Sequence, residues 1–166
     1  MEYILISACL LGHAVRYDGR SVPNGDRVLD RWVEEERVIP VCPEVAGGLP
    51  IPRSPAEIEP GANASAVLTR QARIMAVSGE DVTDAFVQGA HSALAVARQH
   101  NIRMAVLKEG SPSCGSGYVY DGHFTGHRQP GMGVTAQLLN QAGIRVFSEK
   151  QWAEAQTWLA KLETAR

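Results

Sequence analysis

Short, wholly apolar runs alternate along the chain with longer stretches in which apolar residues recur every three or four positions. Residues 3–7 (Tyr-Ile-Leu-Ile-Ser), 38–42, 103–108 and 145–147 have the length and apolar content of buried strands. Between them the period lengthens. Val28, Leu29, Trp32 and Val33 share one face of a helix over 27–36, with Asn24 or Asp26 as its cap. Val82, Phe86, Ala90, Leu94 and Ala97 make the buried stripe of a longer helix over 82–99, capped by Asp81 or Thr83 and stopped at Asn101. Further helices are predicted over 134–141, opened by Gly131-Met132-Gly133, and from 149 to 162. Strands alternating with helices of this length argue for an α/β fold. Its expected form is a single domain over 1–166 with a parallel, Rossmann-like sheet and helices on both faces.

The remaining stretches are less regular. Arg16-Tyr17-Asp18-Gly19 and Ser21-Val22-Pro23-Asn24 are rich in turn formers. Six of the nine prolines fall between Pro40 and Pro60, which predicts an extended loop serving as a lid or wall. Residues 66–68 and 74–77 are expected to pair as a short hairpin. Residues 118–124 are expected to form a second one, with Asp121-Gly122 as a two-residue turn.

Composition narrows the class. A chain of 166 residues that is 45% apolar can bury a real core. No apolar stretch approaches the roughly 20 residues of a membrane span, and the N-terminus lacks a signal peptide's pattern, so the expected location is cytoplasmic. A net charge of −2 gives no electrostatic reason for tight binding to a polymeric nucleic acid. Three cysteines cannot close into a complete set of internal disulfides.

Each cysteine follows a predicted strand: Cys9 after the first, Cys42 at the end of the second, and Cys114 in the small-residue loop after the third. Ligands bind at the carboxyl ends of strands in open α/β sheets, so three thiols there suit a metal or cluster site with one coordination position open. Separations of 33 and 72 residues form no short ligand motif, and buried packing explains isolated cysteines equally well. Glu44 stands two residues past Cys42, where a carboxylate can move protons; the alternatives are a solvated loop residue or a partner for Arg53. Ser111 and Ser113 flank Cys114 and could reach a substrate or simply make the turn. Gly110 and Gly115 have Walker spacing without its lysine, although the loop could hold an anion in a backbone nest. Tyr17, Tyr118, Tyr120 and Phe124 could stack on a planar ligand. His13, His123 and His127 lie in loops near enough in sequence to be considered, without spacing that assigns them a role.

The motifs resemble a known family. Ile6-Ser7-Ala8-Cys9-Leu10-Leu11-Gly12, Arg16-Tyr17-Asp18-Gly19, Val41-Cys42-Pro43-Glu44-Val45, Gly47-Gly48-Leu49-Pro50 and Ser111-Pro112-Ser113-Cys114-Gly115 occur in the order found in the thiouracil desulfidase (TudS-like) family, once a domain of unknown function. Gly79-Glu80-Asp81-Val82-Thr83 and Gly131-Met132-Gly133-Val134-Thr135-Ala136 extend the resemblance over about residues 3–150. Many relatives carry a cysteine where this chain has Val15, so no fourth cysteine ligand stands there.

The resemblance implies a 4Fe-4S cluster held by Cys9, Cys42 and Cys114, with one open iron that binds the sulfur of a thiolated pyrimidine. It implies non-redox, hydrolytic C=S cleavage to uracil and hydrosulfide, with Glu44 and Ser111 as catalytic residues. Arg16, Tyr17, Ser113 and Gly115 map to the substrate side. Some relatives have an added C-terminal domain and are associated with thiolated tRNA. The expected substrate here is instead a small thiolated nucleobase or nucleoside, 2- or 4-thiouracil among them. Three rivals stand beside it: a three-cysteine zinc hydrolase or deaminase, though the deaminase signatures are missing, a non-catalytic iron–sulfur or nucleotide-binding module, and a thiol redox protein, for which paired neighbouring cysteines are lacking. Oligomeric state and the position of sulfur on the substrate are not legible in the sequence.

Overall fold

The structure is a computed structural model describing residues 1–12, 16–18 and 26–165. In chain order its elements are β1 (Ile4–Ser7), α1 (Arg27–Glu34), β2 (Val38–Val41), α2 (Pro43–Ala46), β3 (Ala56–Ile58), α3 (Ala64–Leu68), β4 (Ile74–Ala76), α4 (Thr83–Gln99), β5 (Met104–Leu107), β6 (Tyr118–Tyr120), β7 (Arg128–Pro130), α5 (Val134–Gln141), β8 (Arg145–Ser148) and α6 (Trp152–Thr164).

The central sheet is wholly parallel, in the order β2-β1-β5-β8. Its two central strands, β1 and β5, are buried along their whole length because both faces are covered, while the edge strands β2 and β8 are partly exposed. Ile4, Ile6, Met104, Val106 and Phe147 pack with Leu29 and Trp32 of α1 and with Trp152, Ala155 and Leu159 of α6. Leu5, Ala105 and Leu107 pack on the other face with Ala93, Leu94 and Ala97 of α4 and with Ala136 and Leu139 of α5. The expected α/β architecture with helices on both faces is therefore present. Val33, expected on the buried face of α1, is instead largely exposed, and Leu29 and Trp32 carry the contact.

The topology makes the crevice. The chain leaves β1 through α1 on one face to reach β2, then passes through α4 on the other face to reach β5, on the far side of β1. The order reverses around β1, and such a switch point opens a crevice at the strands' carboxyl ends.

Several expectations need correction. Residues 66–68 form no strand: they lie in α3, whose start is capped by Asn63, its side-chain Oδ1 accepting the Ala66 N–H at 2.9 Å. The partner of β4 is β3, paired antiparallel from Ala56↔Ala76 to Ile58↔Ile74. The proline-rich stretch is thus not all loop, since it contains both α2, with Pro43 in its first turn, and β3. The second hairpin is real but longer, pairing β6 with β7 from Tyr118↔Pro130 to Tyr120↔Arg128. Asp121-Gly122 is not its two-residue turn; the Asp121 carboxylate accepts the His123 N–H instead, and Asp121 N–H donates to the His127 carbonyl. Cys9-Leu10-Leu11 is a 3-10 turn (Ala8–Leu11) rather than open loop.

The β3–β4 hairpin and α3 share a third apolar cluster with α4, built on Ile58, Val67, Ile74 and Phe86. Of the proposed caps for α1, Asp26 serves, its carboxylate accepting the Val28 N–H at 2.8 Å; Asn24 and the 21–24 turn lie outside the described residues, as do His13 and Val15. Among the described residues no helix is long and apolar enough to cross a membrane.

Candidate active site

The crevice is a cavity of about 500 Å³ at the carboxyl ends of β1, β2 and β5, and all three cysteines line it. Cys9 enters from the 3-10 turn that ends at Gly12, whose φ of 91° is left-handed and suits glycine. Cys42 occupies the cap position before α2, and Cys114 lies in the loop after β5. They form no disulfide. Burial pushes the Cys9 thiol up to about 11, with Cys42 adding to the rise and Lys108 and Arg16 opposing it. Burial likewise raises Cys42. Cys114 is raised most clearly, by burial first and then by Glu44, Cys9 and Cys42.

Three thiols lining one cavity, two of them buried and Cys42 partly so, are poorly arranged to ionise alone, and a cationic centre among them would reverse that preference. Among the described residues, however, no three His, Cys, Asp or Glu side chains come close enough to hold one metal ion. A zinc site needs every sulfur about 2.3 Å from a single centre. In a 4Fe-4S cluster each thiolate binds its own iron, and the donor set of three cysteines lining one cavity fits that group.

The loop carrying Cys114 is organised by a residue the sequence did not single out. The Glu109 carboxylate, at the cavity edge, accepts backbone N–H groups from Ser116 at 2.8 Å, Gly117 at 3.0 Å, and Gly110 and Tyr118 at 3.3 Å each. The backbone nest anticipated in this loop therefore exists, and the protein's own carboxylate fills it. Loop carbonyls also cap the start of α5: those of Pro112 and Ser113 accept the Val134 and Thr135 N–H groups, at 2.8 and 2.9 Å. Ser113 is fully buried with its hydroxyl 2.8 Å from that of Thr135. A Cβ on Gly115 would meet the Tyr118 carbonyl at 2.5 Å. Neither Ser113 nor Gly115 lines the cavity; both sit behind the loop surface that does.

Glu44 and Ser111 meet in the cavity wall. Ser111 Oγ donates to Glu44 Oε2 at 3.0 Å and accepts the Ser113 and Cys114 N–H groups at 2.9 and 3.2 Å. With two donors already aimed at its oxygen, the hydroxyl proton is directed at the carboxylate. Glu44 Oε1 accepts from Arg53 Nε at 3.1 Å, and Arg53 Nη1 donates to the Pro50 carbonyl. Glu44 is thus both the partner of Arg53 and a cavity residue, and two readings that looked exclusive in the sequence coexist.

Arg16 and Tyr17 line the same cavity, with the Arg16 guanidinium 5.9 Å from the Tyr17 ring centroid. Tyr118, Tyr120 and Phe124 line it as well. His123 and His127 do not; the latter is largely exposed and 3.9 Å from the Asp121 carboxylate.

With this geometry in hand, comparison with known proteins is specific. A family model described as 2-thiouracil desulfurase matches residues 4–151. A solved structure described as a 4Fe-4S-dependent thiouracil desulfidase, TudS, is 46% identical and superposes with a TM-score of 0.88, covering 96% of this chain and 99% of that one. The uncharacterized protein YbbK of Bacillus subtilis (strain 168) is 45% identical over 148 residues, which is 89% of this chain and 96% of YbbK.

Proposed function

The chain belongs to the 2-thiouracil desulfurase family, and from that premise we propose that it is a thiouracil desulfidase, hydrolysing the C=S bond of a small thiolated pyrimidine base or nucleoside. Water supplies the oxygen, the thiocarbonyl carbon becomes a carbonyl, and sulfur departs as hydrosulfide, so that no electrons are gained or lost. Cys9, Cys42 and Cys114 would hold a 4Fe-4S cluster whose remaining iron offers the substrate sulfur a Lewis acid.

This chain's own residues handle the proton and the orientation. Glu44 takes the proton of the attacking water. Ser111, hydrogen-bonded to that carboxylate, holds it in place and relays a proton to the departing group. Arg53 fixes the opposite oxygen of Glu44, so the carboxylate cannot swing out of the wall. Arg16 and Tyr17 contact the substrate, whereas Ser113 and Gly115 act through the shape of the loop. The same reading takes 1–166 as one domain and suits a reducing cytoplasm, where thiols persist.

The observation that carries the reading is the Glu44–Ser111 pair inside a cavity lined by all three cysteines. It also favours an enzyme over a passive iron–sulfur module, because a binding module has no use for a positioned proton carrier. Anaerobic reconstitution with iron and sulfide tests it. The expected product is a brown protein that converts thiouracil to uracil with one sulfide per turnover, and Cys9→Ser, Cys42→Ser and Cys114→Ser variants that each lose colour and activity. A colourless protein that binds zinc instead would overturn the assignment.

A further inference from the structure

The segment joining β6 to β7 carries a strained residue directly over the cavity. Phe124 has φ of 57°, in the left-handed region that an L residue with a large side chain rarely enters. Its neighbours His123, Thr125 and Gly126 are exposed, while Phe124 is half-buried and lines the cavity.

The strain is held from outside the segment. Glu57 of β3 lines the same cavity, and its Oε1 accepts the Gly122 N–H at 2.9 Å and the Phe124 N–H at 3.3 Å. Gly122 is pressed so closely against β3 that a Cβ would stand 2.5 Å from the Ile58 carbonyl. One carboxylate and one backbone contact therefore over-determine a conformation that the segment would not choose alone. Strained residues held in this way cluster at ligand clamps. Tyr118 and Tyr120, edge-to-face at 6.1 Å between centroids, line the cavity from the adjoining strand.

We propose that Phe124 is a specificity-determining residue whose ring packs on the face of the substrate's planar heterocycle, and that Glu57 is the positioning residue that holds it there through the backbone. This rests on the desulfidase reading above, which supplies a planar pyrimidine as the occupant. An aromatic wall contributes binding that is equal before and during the reaction, so its loss raises KM and leaves kcat in place.

The test is steady-state desulfuration by the reconstituted holoprotein, together with calorimetric binding of uracil. Phe124→Ala and Glu57→Ala are expected to raise KM for thiouracil, and Kd for uracil, by roughly ten- to hundredfold, the scale of base–aromatic stacking. Their kcat stays within about twofold of the parent, Phe124→Tyr keeps the parental KM, and Glu57→Gln, which retains an acceptor oxygen, recovers part of the loss. Phe124→Gly relieves the backbone strain, so it is expected to bind weakly without a fall in melting temperature; a merely structural Phe124 would give the reverse. An active parent whose Phe124→Ala variant keeps KM and Kd overturns this inference and leaves the desulfidase reading standing. A parent that binds uracil without releasing sulfide overturns the desulfidase reading, and the uracil Kd of the variants then decides the role of Phe124. A parent that neither turns over nor binds overturns both.

Discussion

The Ser111 hydroxyl and the Glu44 carboxylate, 67 residues apart in sequence, meet at 3.0 Å. Each is carried by a different strand-end segment, Glu44 by α2 behind β2 and Ser111 by the loop behind β5. Both segments also carry a cysteine, so the packing that brings the thiols to one cavity also aligns this pair beside them.

Ser111→Ala removes the hydroxyl from Glu44 and leaves the Ser113 and Cys114 N–H groups without their acceptor. The expected result is a fall in kcat of about tenfold to a hundredfold, at or below the lower end of general acid–base assistance because Glu44 itself remains. Ser111→Thr, which keeps a hydroxyl, recovers part of it. Iron content measured alongside separates a loss of turnover from a loss of cluster.

Gly89 of α4 sets the position of Cys42 and Glu44 without touching either. A Cβ there would stand 1.9 Å from the Pro43 carbonyl, and a Cβ on Gly47 would stand 1.9 Å from the Ala85 carbonyl. The two backbones are in reciprocal contact, so α2 has no room to yield on either side. Gly→Ala inside a helix ordinarily stabilises by about 0.5–1 kcal/mol. Gly89→Ala is expected to do the opposite, destabilising by roughly 1–3 kcal/mol through overpacking and lowering kcat as Glu44 moves. Thermal unfolding gives the sign, and an increase in melting temperature would contradict the contact.

Asp81 helps tie the β3–β4 hairpin to α4, although the cap position of that helix is Val82 rather than Asp81 or Thr83 as expected. Its carboxylate accepts the Thr83 N–H at 3.0 Å and the Thr83 hydroxyl at 2.6 Å, while Thr83 Oγ1 accepts the Ile74 N–H. These hydrogen bonds from Thr83 hold the Asp81 carboxyl below its ordinary value. A depressed folded-state value means that stability is present above the unfolded carboxyl's pKa, about 3.9, and is lost as pH falls through the folded value. Asp81→Asn is therefore expected to lower the melting temperature by about 2–4 °C near neutrality. The gap from the parent should close below about pH 4; a gap that persists in acid would contradict the assignment.

Much of this arrangement is legible in the sequence, for a physical reason. Buried parallel strands must be apolar on both faces, and β1 and β5 announce themselves as apolar runs, with Cys9 two residues past the first and Cys114 seven residues past the second. The β3–β4 hairpin, α3 and the β6–β7 hairpin are less legible because their elements are short. Residues 66–68 have the content of a strand, and only Asn63 at the cap distinguishes the helix they join. Asp121-Gly122 suits a tight turn, yet Glu57, from a strand more than sixty positions away, claims the Gly122 N–H and fixes a wider loop. Glu109 reads as an ordinary surface acid. Its role depends on four backbone amides converging in space, which no local pattern records. Gly89 does leave a signal, as a glycine within a predicted helix, but Gly47 falls in the stretch that reads as loop, and their pairing needs the fold.

The measurement that bears most directly on the account is turnover of thiouracil by the reconstituted protein in heavy-oxygen (18O) water, with uracil and sulfide both quantified. Hydrolytic cleavage promoted by Glu44 predicts one 18O in each uracil, one sulfide per uracil, no reductant consumed, and near-complete loss of both products in a Glu44→Gln variant that retains its iron. Unlabelled uracil, or a Glu44→Gln variant with near-normal turnover, would contradict it.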